Sequence, residues 1–340
     1  MKKKLIGILA VAVLAGAAGA FAGYQWLQNY AQRPLSLKEP IYFTLPSGTG
    51  QAALGNLLVE KGVVSDVKAL PWLLRLQPDL GGFKAGTYQL TPEMDIKAML
   101  LLFRSGKEAQ FSIRFIEGTR MQDWIPLLAQ APYVKHTLEG ASEEKVAEVL
   151  AINDPAHPEG WLYPDTYNYT AGTTDRALLK RAHEKMKKTV DEVWNGREEN
   201  LPYKTPYEMM IMASIIEKET ALDSERDKVA SVFVNRMRIG MKLQTDPTVI
   251  YGMGSQYNGN ITRKDLTTPT AYNTYTIDGL PPTPIAMPGQ ASLKAAAHPA
   301  KTNYLYFVAD GKGGHTFTTN LQSHNQAVRQ YLQTLRAGKQ

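Results

Sequence analysis

The amino-acid sequence predicts an α+β protein with three parts: an N-terminal transmembrane helix, a small β-α-α-β module and a larger α+β domain. Three observations support this prediction: an uncharged apolar run behind three lysines, a repeated strand-turn-helix pattern, and a length of 340 residues, which allows more than one core. The predicted boundaries are residues 1–4 (cytoplasmic), 5–24 (transmembrane), 25–38 (connector), 39–107 (module) and 108–340 (larger domain).

The composition is that of a folded protein. Apolar residues make up 44% of the chain and charged residues 21%, which indicates neither disorder nor a protein with many membrane spans. The formal charge is +6, but Lys2, Lys3 and Lys4 supply half of it. Because the remaining charge is dispersed, nucleic-acid binding is not expected. The chain has no cysteine, which excludes disulfides, thiol nucleophiles, cysteine-based zinc sites and a lipoprotein anchor.

The N-terminus carries an export signal. Three lysines precede Leu5–Gly23, a run of uncharged residues that is long enough to cross the hydrocarbon core, with the lysines on the cytoplasmic side. A cleaved signal peptide is the alternative, because Ala18–Ala20 and Ala20–Ala22 both fit a small-x-small cleavage site. The run exceeds the roughly 7–15 apolar residues of a signal core, which favours an uncleaved anchor. Both interpretations export the rest of the chain.

One pattern recurs three times: an alternating strand, a turn with glycine or proline, and a helix with leucine-type spacing. It begins at Tyr42, Thr87 and Ser112. The first unit continues through a second predicted helix, Asp66–Leu76, to a strand at Gly86–Leu90, which completes a β-α-α-β order. This order resembles a LysM module, a fold that binds glycans containing N-acetylglucosamine. A repeat with a purely structural role is the alternative, and both interpretations stay open.

Several later segments indicate a shaped surface. Glu159–Tyr169 contains four aromatic residues, which suit either the face of a sugar ring or a core strand. The segments Leu243–Gly252, Thr270–Tyr275 and Gly279–Gly289 are rich in Gly, Pro, Asn and Tyr. Ordered loops of this composition predict a cleft.

The segment Pro206–Thr220 predicts a helix that ends in carboxylates. It is nearly all apolar up to Ile216, and Glu217, Lys218 and Glu219 follow. A carboxyl at the rim of an apolar face has a raised pKa and can act as a general acid on a glycosidic oxygen. Surface charges at a helix end are the alternative, and the spacing alone does not choose between the two glutamates.

A resemblance to one family becomes specific at five motifs, which are Ala213–Thr220, Val232–Arg236, Leu243–Gly252, Tyr272–Tyr275 and Gly279–Pro282. They are similar to the YceG-like (MltG) family of endolytic murein transglycosylases, and the resemblance covers nearly the whole chain. Thr283 departs from the family pattern, in which glycine is common at this position, so the backbone of that turn is expected to differ.

The resemblance implies a lytic transglycosylase that cleaves nascent peptidoglycan strands and terminates their elongation. It implies that the first glutamate of the motif, Glu217, is catalytic. Glu217 would protonate the oxygen between N-acetylmuramic acid and N-acetylglucosamine and then deprotonate the C6 hydroxyl, which forms a 1,6-anhydro end without water. No metal or cofactor is expected. The residues implied to bind or orient the substrate are Glu219, Asn235, Gln244, Asp246, Tyr251, Tyr272 and Asn273.

Three alternatives differ in chemistry. In a two-carboxylate muramidase, Asp246 or Glu219 would activate water; in a non-catalytic glycan-binding scaffold, Glu217 would be structural. A metal-dependent amidase is disfavoured, because the six histidines are scattered and lack the HExxH spacing. The expected partners are peptidoglycan strands, the bacterial inner membrane and peptidoglycan synthases, with the larger domain in the periplasm.

Overall fold

The computed structural model describes residues 2–153 and 157–337 of the chain. In this part the protein is mixed α+β, mostly helical, with three two-stranded sheets. The predicted fold class is confirmed at this level. The chain forms two compact units: the first comprises Met1–Phe111 and Tyr169–Ala171, and the second comprises Ser112–Asn168 and Gly172–Gln340.

The N-terminal helix α1 spans Lys2–Ala31. From Lys4 it is long and apolar enough to cross a membrane. Its apolar side chains are exposed, with Leu5 at 70% and Leu14 at 69%. The last turn differs, because Tyr30 and Ala31 are buried in the core of the first unit. Residues 25–31 of the predicted connector therefore continue the helix.

The first unit has the predicted β-α-α-β order followed by one more helix. β1 and β2 pair antiparallel, with Ile41 opposite Leu90, and their inward side chains share a core with the helices. The helix predicted from Asp66 begins at Leu70, because Asp66 Oδ1 accepts a hydrogen bond from the Lys68 N–H in a turn. The elements are β1 Ile41–Leu45, α2 Gln51–Glu60, α3 Leu70–Leu76, β2 Gly86–Leu90 and α4 Ile96–Ser105.

The second unit is larger and mainly helical. It contains the strand pair β5 with β6 and most of the pair β3 with β4, whose end residues Phe111 and Tyr169 belong to the first unit. Of the four aromatics predicted on a core strand or a sugar-binding face, Tyr167 and Tyr169 are buried on β4. The elements are β3 Phe111–Arg114, α5 Met121–Gln130, α6 Glu143–Val149, β4 Thr166–Tyr169, α7 Asp175–Asn195, α8 Pro206–Glu219, α9 Asp223–Arg238, α10 Asp246–Met253, α11 Arg263–Thr267, α12 Gln290–Ala297, β5 Tyr306–Ala309, β6 His315–Thr318 and α13 Leu321–Ala337.

Helix α8 is the centre of the second unit. It contacts α7, α9, α10 and α12, and every residue from Met209 to Ile216 is buried, as expected for a helix that is apolar on all sides. Thr205 caps its start by accepting a hydrogen bond from the Glu208 N–H, and the helix ends where Thr220 takes an extended backbone. The buried helix thus delivers Glu217 and Glu219 to the edge of the core.

Candidate active site

Glu219 lies at the end of α8, in the wall of a cavity of about 440 Å³. The walls come from the helices α8, α9, α10 and α13, the strand β5, and the loops before α10 and after α11. They combine charged, polar and aromatic side chains, which suits a polar ligand with apolar faces. The other lining residues are Phe233, Arg236, Leu243, Gln244, Thr245, Asp246, Tyr275, Tyr306, Phe307, Leu321, His324 and Asn325.

The carboxyl of Glu219 has surroundings that suit proton transfer. Burial raises its pKa to about 7, and the negative charge of Asp246 adds to the rise. The Thr245 hydroxyl donates a hydrogen bond to Glu219 Oε1 and, with the charges of His315 and Arg236, lowers the pKa and partly offsets the rise. At neutral pH both protonation states are therefore populated, so this carboxyl can both donate and accept a proton.

Arg236 holds one side of the cavity in place. Its Nε donates to the Leu305 carbonyl at 2.7 Å, and its Nη1 donates to the Leu243 carbonyl at 2.7 Å. The guanidinium also lies over the ring of Tyr306, 5.1 Å from its centre. The side chain thus joins α9 to β5 and to the loop before α10, and it brings a positive charge close to Glu219.

The loop before α10 is pinned to the loop that contains Tyr275. The Gln244 N–H donates to the Thr274 carbonyl at 3.1 Å, and the Thr245 N–H donates to the Thr274 hydroxyl at 3.0 Å. Gln244 has a left-handed backbone with φ of 49°, a conformation that a non-glycine residue adopts at a cost. The Tyr275 hydroxyl donates to Asp246 Oδ1 at 2.6 Å. Asp246 is therefore held within the cavity wall.

Glu217 has different surroundings. The described residues that line this cavity do not include it. Its side chain is only 6% exposed and lies 3.9 Å from Arg226 Nη2. Glu217 Oε2 accepts a hydrogen bond from the Gly289 N–H at 2.9 Å. The next residue, Lys218, donates to the Gly118 carbonyl at 3.0 Å. Glu217 and Lys218 thus fasten the loops around residues 118 and 289 to the end of α8.

A second carboxyl, Glu117, borders the same loop. A Cβ atom added to Gly289 would lie 2.1 Å from Glu117 Oε1, so a larger residue there would displace the end of the Glu117 side chain. Partial burial raises the pKa of Glu117, the charge of Glu217 raises it further, and Arg226 lowers it. The fold brings Glu117 next to Glu217 from one hundred residues away, and no local motif marks it.

Comparison with known proteins identifies the family. The model of the YceG-like family matches residues 43–330. The chain belongs to the YceG-like family. The resemblance seen in the sequence motifs is therefore confirmed.

Relatives of this YceG-like chain are known in sequence and in structure. The endolytic murein transglycosylase of Bacillus subtilis (strain 168) is 32% identical over 311 residues, which cover 87% of this chain and 86% of that protein. The protein of the same name from Streptococcus pneumoniae (strain D39) is 25% identical over 350 residues, which cover 93% of this chain and 63% of that protein. A crystal structure of a protein described as YceG-like, from Listeria monocytogenes, matches with a TM-score of 0.54 and 30% identity, covering 85% of this chain and 99% of that one. The relatives bear the name of an enzyme, as was predicted for this chain.

Two predicted substrate-binding residues of the YceG-like chain hold loops together. Asn273 is fully buried; its Nδ2 donates to the carbonyls of Asp265, Leu266 and Thr268, and its Oδ1 accepts from the Tyr275 N–H. Asn235 Nδ2 donates to the carbonyls of Thr302 and Tyr304 at 2.8 and 3.0 Å. Of the predicted set, the fold brings Glu219, Gln244 and Asp246 together in one cavity.

The predicted residues Tyr251 and Tyr272 belong to another, partly buried network. Their ring centres are 4.9 Å apart. The Tyr251 hydroxyl donates to Glu159 Oε2 at 3.3 Å, and the Tyr272 hydroxyl lies 2.8 Å from the Thr283 hydroxyl. Thr283, the departure from the family pattern, therefore supplies a polar partner that glycine would lack.

Glu159 is another buried carboxyl that no motif in the sequence marks. It is 2% exposed, and burial raises its pKa to about 8, with a further rise from the charge of Glu143. It also accepts a hydrogen bond from the Met121 N–H at 3.2 Å, at the start of α5. The only signal in the sequence is an acidic residue at the head of an aromatic segment, Glu159–Tyr169.

Proposed function

We propose that this chain is an endolytic murein lytic transglycosylase. It would cut the bond between N-acetylmuramic acid and N-acetylglucosamine in nascent glycan strands and leave 1,6-anhydro ends, which terminates their elongation. One observation carries the proposal: the carboxyl of Glu219, with a pKa raised by burial to about 7, lies in the wall of a cavity of about 440 Å³. The name of the Bacillus subtilis relative supports the substrate and the reaction.

The reaction needs one group that gives a proton and then takes one. Protonated Glu219 donates its proton to the glycosidic oxygen as the C1–O bond breaks, and an oxocarbenium-like sugar forms. The resulting carboxylate removes the proton from the C6 hydroxyl of that sugar, and O6 forms a new bond to C1. The carboxylate of Asp246, held by the Tyr275 hydroxyl, is suited to stabilise the positive charge that develops on the sugar.

The surroundings of the two glutamates support Glu219 as the acid. The family resemblance implies Glu217 instead, and that assignment stays a prediction. Glu217 already has two partners, the Gly289 N–H and the Arg226 guanidinium, and its side chain is almost wholly enclosed. Glu219, by contrast, lines the cavity, with the Thr245 hydroxyl as its hydrogen-bond donor. We therefore propose that Glu217 positions the loops around the site and that Glu219 transfers the proton.

Product analysis tests the proposed reaction. The purified protein is incubated with uncrosslinked glycan, and the fragments are examined by mass spectrometry. Fragments with 1,6-anhydro ends are expected, 18 Da lighter than hydrolysed ends because the reaction adds no water. The muramidase alternative has a specific observation in its favour, since Asp246 shares the cavity with Glu219 and provides a second carboxyl. Reducing ends in place of anhydro ends would establish that alternative.

We further propose that α1 is an uncleaved inner-membrane anchor and that the second unit lies in the periplasm. The first unit would be a LysM-like module that brings the chain to glycan, and peptidoglycan synthases in the same membrane would be its partners. The continuity of α1 with the core of the first unit supports the anchor, because cleavage near residue 22 would leave the buried last turn attached to only a short stub. Membrane fractionation and the intact mass of the mature protein test this.

A further inference from the structure

The outer face of α3 carries large apolar side chains in contact with solvent. The leucines of its inner face are buried. On the outer face, Trp72 is 60% exposed and Leu76 is 50% exposed, with the exposed Arg75 beside them. Residues four apart on a helix lie on the same side, so Trp72 and Leu76 form one surface. Apolar surfaces of this kind mark contacts with a partner or a membrane.

Direct contacts fix α3 against the end of α1. The two helices touch, and the Tyr30 hydroxyl donates to the carbonyl of Asp66, shortly before α3, at 3.2 Å. Arg33 Nη1 lies 3.1 Å from Asp66 Oδ2. Tyr30 and Ala31 share a core with the inner leucines of α3. Because α1 is one unbroken helix, no flexible linker separates α3 from the apolar run.

Helix geometry then gives the height of α3 above the membrane. The apolar run ends at Gly23, and Tyr30 follows seven residues later, which is about 10 Å along a helix axis. The headgroup layer extends roughly 5–8 Å beyond the hydrocarbon core on each side. A helix packed beside Tyr30 therefore lies about 2–5 Å beyond that layer, a gap that a tryptophan side chain directed toward the bilayer can span.

The chemistry of this face suits lipid headgroups. Tryptophan and tyrosine concentrate at membrane interfaces, and α1 presents Tyr24 and Trp26 about 1.5 and 4.5 Å beyond Gly23 along the helix axis, 48% and 47% exposed. Arginine is attracted to anionic lipids. We propose that Trp72, Arg75 and Leu76 form a second membrane contact, which lies in the headgroup layer of the bilayer that α1 crosses. This contact rests on the proposed anchor and would keep the first unit from tilting or rotating on α1.

Glycan is the rival occupant of this face. Trp72 and Arg75 line, with Gln51 and Pro71, a shallow cavity of about 400 Å³, and the resemblance to a LysM module implies sugar binding. Sugar sites combine an aromatic face with several converging polar groups. On this face the exposed Leu76 extends the apolar surface where a sugar site would have a further polar group. The contact between α3 and α1 also favours lipid over glycan as the occupant. The experiment must therefore distinguish shielding of this face by glycan from shielding by lipid.

The absence of cysteine from the chain allows a clean measurement. Leu76→Cys places one thiol on the proposed contact and leaves Trp72 and Arg75 intact. Gln89→Cys is the matched control, because Gln89 is exposed on β2, whose other face packs into the core. Each full-length variant is labelled with the fluorophore NBD and reconstituted into phosphatidylethanolamine–phosphatidylglycerol vesicles. Lipids with a nitroxide on the headgroup and aqueous iodide serve as the two quenchers.

The label at position 76 should be blue-shifted, quenched about twofold by the nitroxide lipid and shielded from iodide, whereas the label at position 89 should respond to iodide alone. Adding Trp72→Gln should weaken the lipid quenching at position 76. Equal iodide access at both positions, or shielding that appears only when uncrosslinked glycan is added, would overturn the proposal. Recovery of a soluble protein with a cleaved N-terminus would refute the anchor as well, and the intact mass distinguishes that failure from the other two.

Discussion

Glu217 and Glu219 lie two residues apart at the end of α8, yet their surroundings differ in kind. Glu219 lines a cavity with Asp246 and Tyr275, and burial raises its pKa to about 7. Glu217 is enclosed against two loops, with the Gly289 N–H at 2.9 Å and Arg226 at 3.9 Å. Both carboxyls therefore have protein partners, but among the described residues only Glu219 of the two also lines the cavity.

Helix geometry explains how one short motif serves two purposes. Successive residues are about 100° apart around a helix axis, so residues two apart point to nearly opposite sides. At the end of α8, one side meets the cavity and the other meets the loops that carry Gly118 and Gly289. Two glutamates in one motif therefore need not share one task.

Replacing Glu219 should have the largest effect. We expect Glu219→Gln to lower kcat by about 10²- to 10⁴-fold, the usual contribution of general acid–base catalysis. Glu217→Gln should cost about tenfold or less, because its amide oxygen can still accept the Gly289 N–H and a single hydrogen bond is worth about 1 kcal/mol. The rate of anhydro-end formation from uncrosslinked glycan measures both variants.

A larger loss of activity for Glu217→Gln than for Glu219→Gln would contradict the assignment of Glu219 as the acid. If Glu217→Gln abolished cleavage while Glu219→Gln retained it, Glu217 would be the acid, as the family resemblance implies. Thermal unfolding of both variants is the control, since a loss of rate that follows a loss of folding says nothing about proton transfer.

Glu159 tests whether burial alone makes a carboxyl catalytic. Its pKa is about 8 in the folded protein, raised by burial, and about 4.3 in an unfolded chain. Between these values the folded protein holds a proton that the unfolded chain has lost, so the stability contributed by this group falls as pH rises from about 4 to 8. Glu159→Gln should remove this fall. Relative to wild type, its unfolding free energy should rise by a few kcal/mol between pH 5 and pH 8, at about 1.4 kcal/mol per pKa unit.

Urea unfolding at the two pH values measures this change, and the unfolding slope shows whether both proteins unfold alike. A pH-independent difference between Glu159→Gln and wild type would contradict the raised pKa. A loss of kcat as large as that of Glu219→Gln, in a folded protein, would show that the network of Glu159 and Tyr251 takes part in catalysis.

Asp246 provides a finer test of the cavity. The acid form of Glu219 is lost as pH rises through about 7, so kcat/KM should fall on the alkaline side of that value. Because the charge of Asp246 raises the pKa of Glu219, Asp246→Asn should move this limb to lower pH, by up to about one unit, equivalent to 1.4 kcal/mol. The pH profile of kcat/KM for both proteins measures the shift. If the alkaline decline of kcat/KM did not shift, a group other than Glu219 would be responsible for that decline.

Part of this arrangement could be predicted from the sequence. The uncharged run Leu5–Gly23 predicts a long apolar helix, and the apolar stretch before Glu217 predicts a buried one, because length and periodicity are local properties. The order of strands and helices in the first unit follows from similar local patterns. The family itself could be named from contiguous motifs.

The site could be predicted only in outline. Gln244 and Asp246 reach the cavity of Glu219, but the amide nitrogens of Asn235 and Asn273 donate to backbone carbonyls. A sequence does not show whether an asparagine faces a ligand or closes a loop, because both uses need the same amide. Glu159 was missed for a related reason, since its pKa depends on enclosure by segments far apart in the chain.

The smallest expected effect is at Gly118, in the loop that Lys218 and Glu217 hold against the end of α8. Gly118 has a left-handed backbone with φ of 73°, and a Cβ there would lie 3.5 Å from Glu217 Cγ, an ordinary contact. Gly118→Ala should therefore be limited by backbone strain, about 1 kcal/mol of unfolding free energy. Gly289→Ala is the matched variant, because its backbone is unstrained, with φ of −81°, and its Cβ would displace the end of the Glu117 side chain. Thermal unfolding should rank Gly118→Ala as the less stable of the two; the opposite order would mean that the Glu117 carboxyl contributes more to this loop than its backbone conformation does.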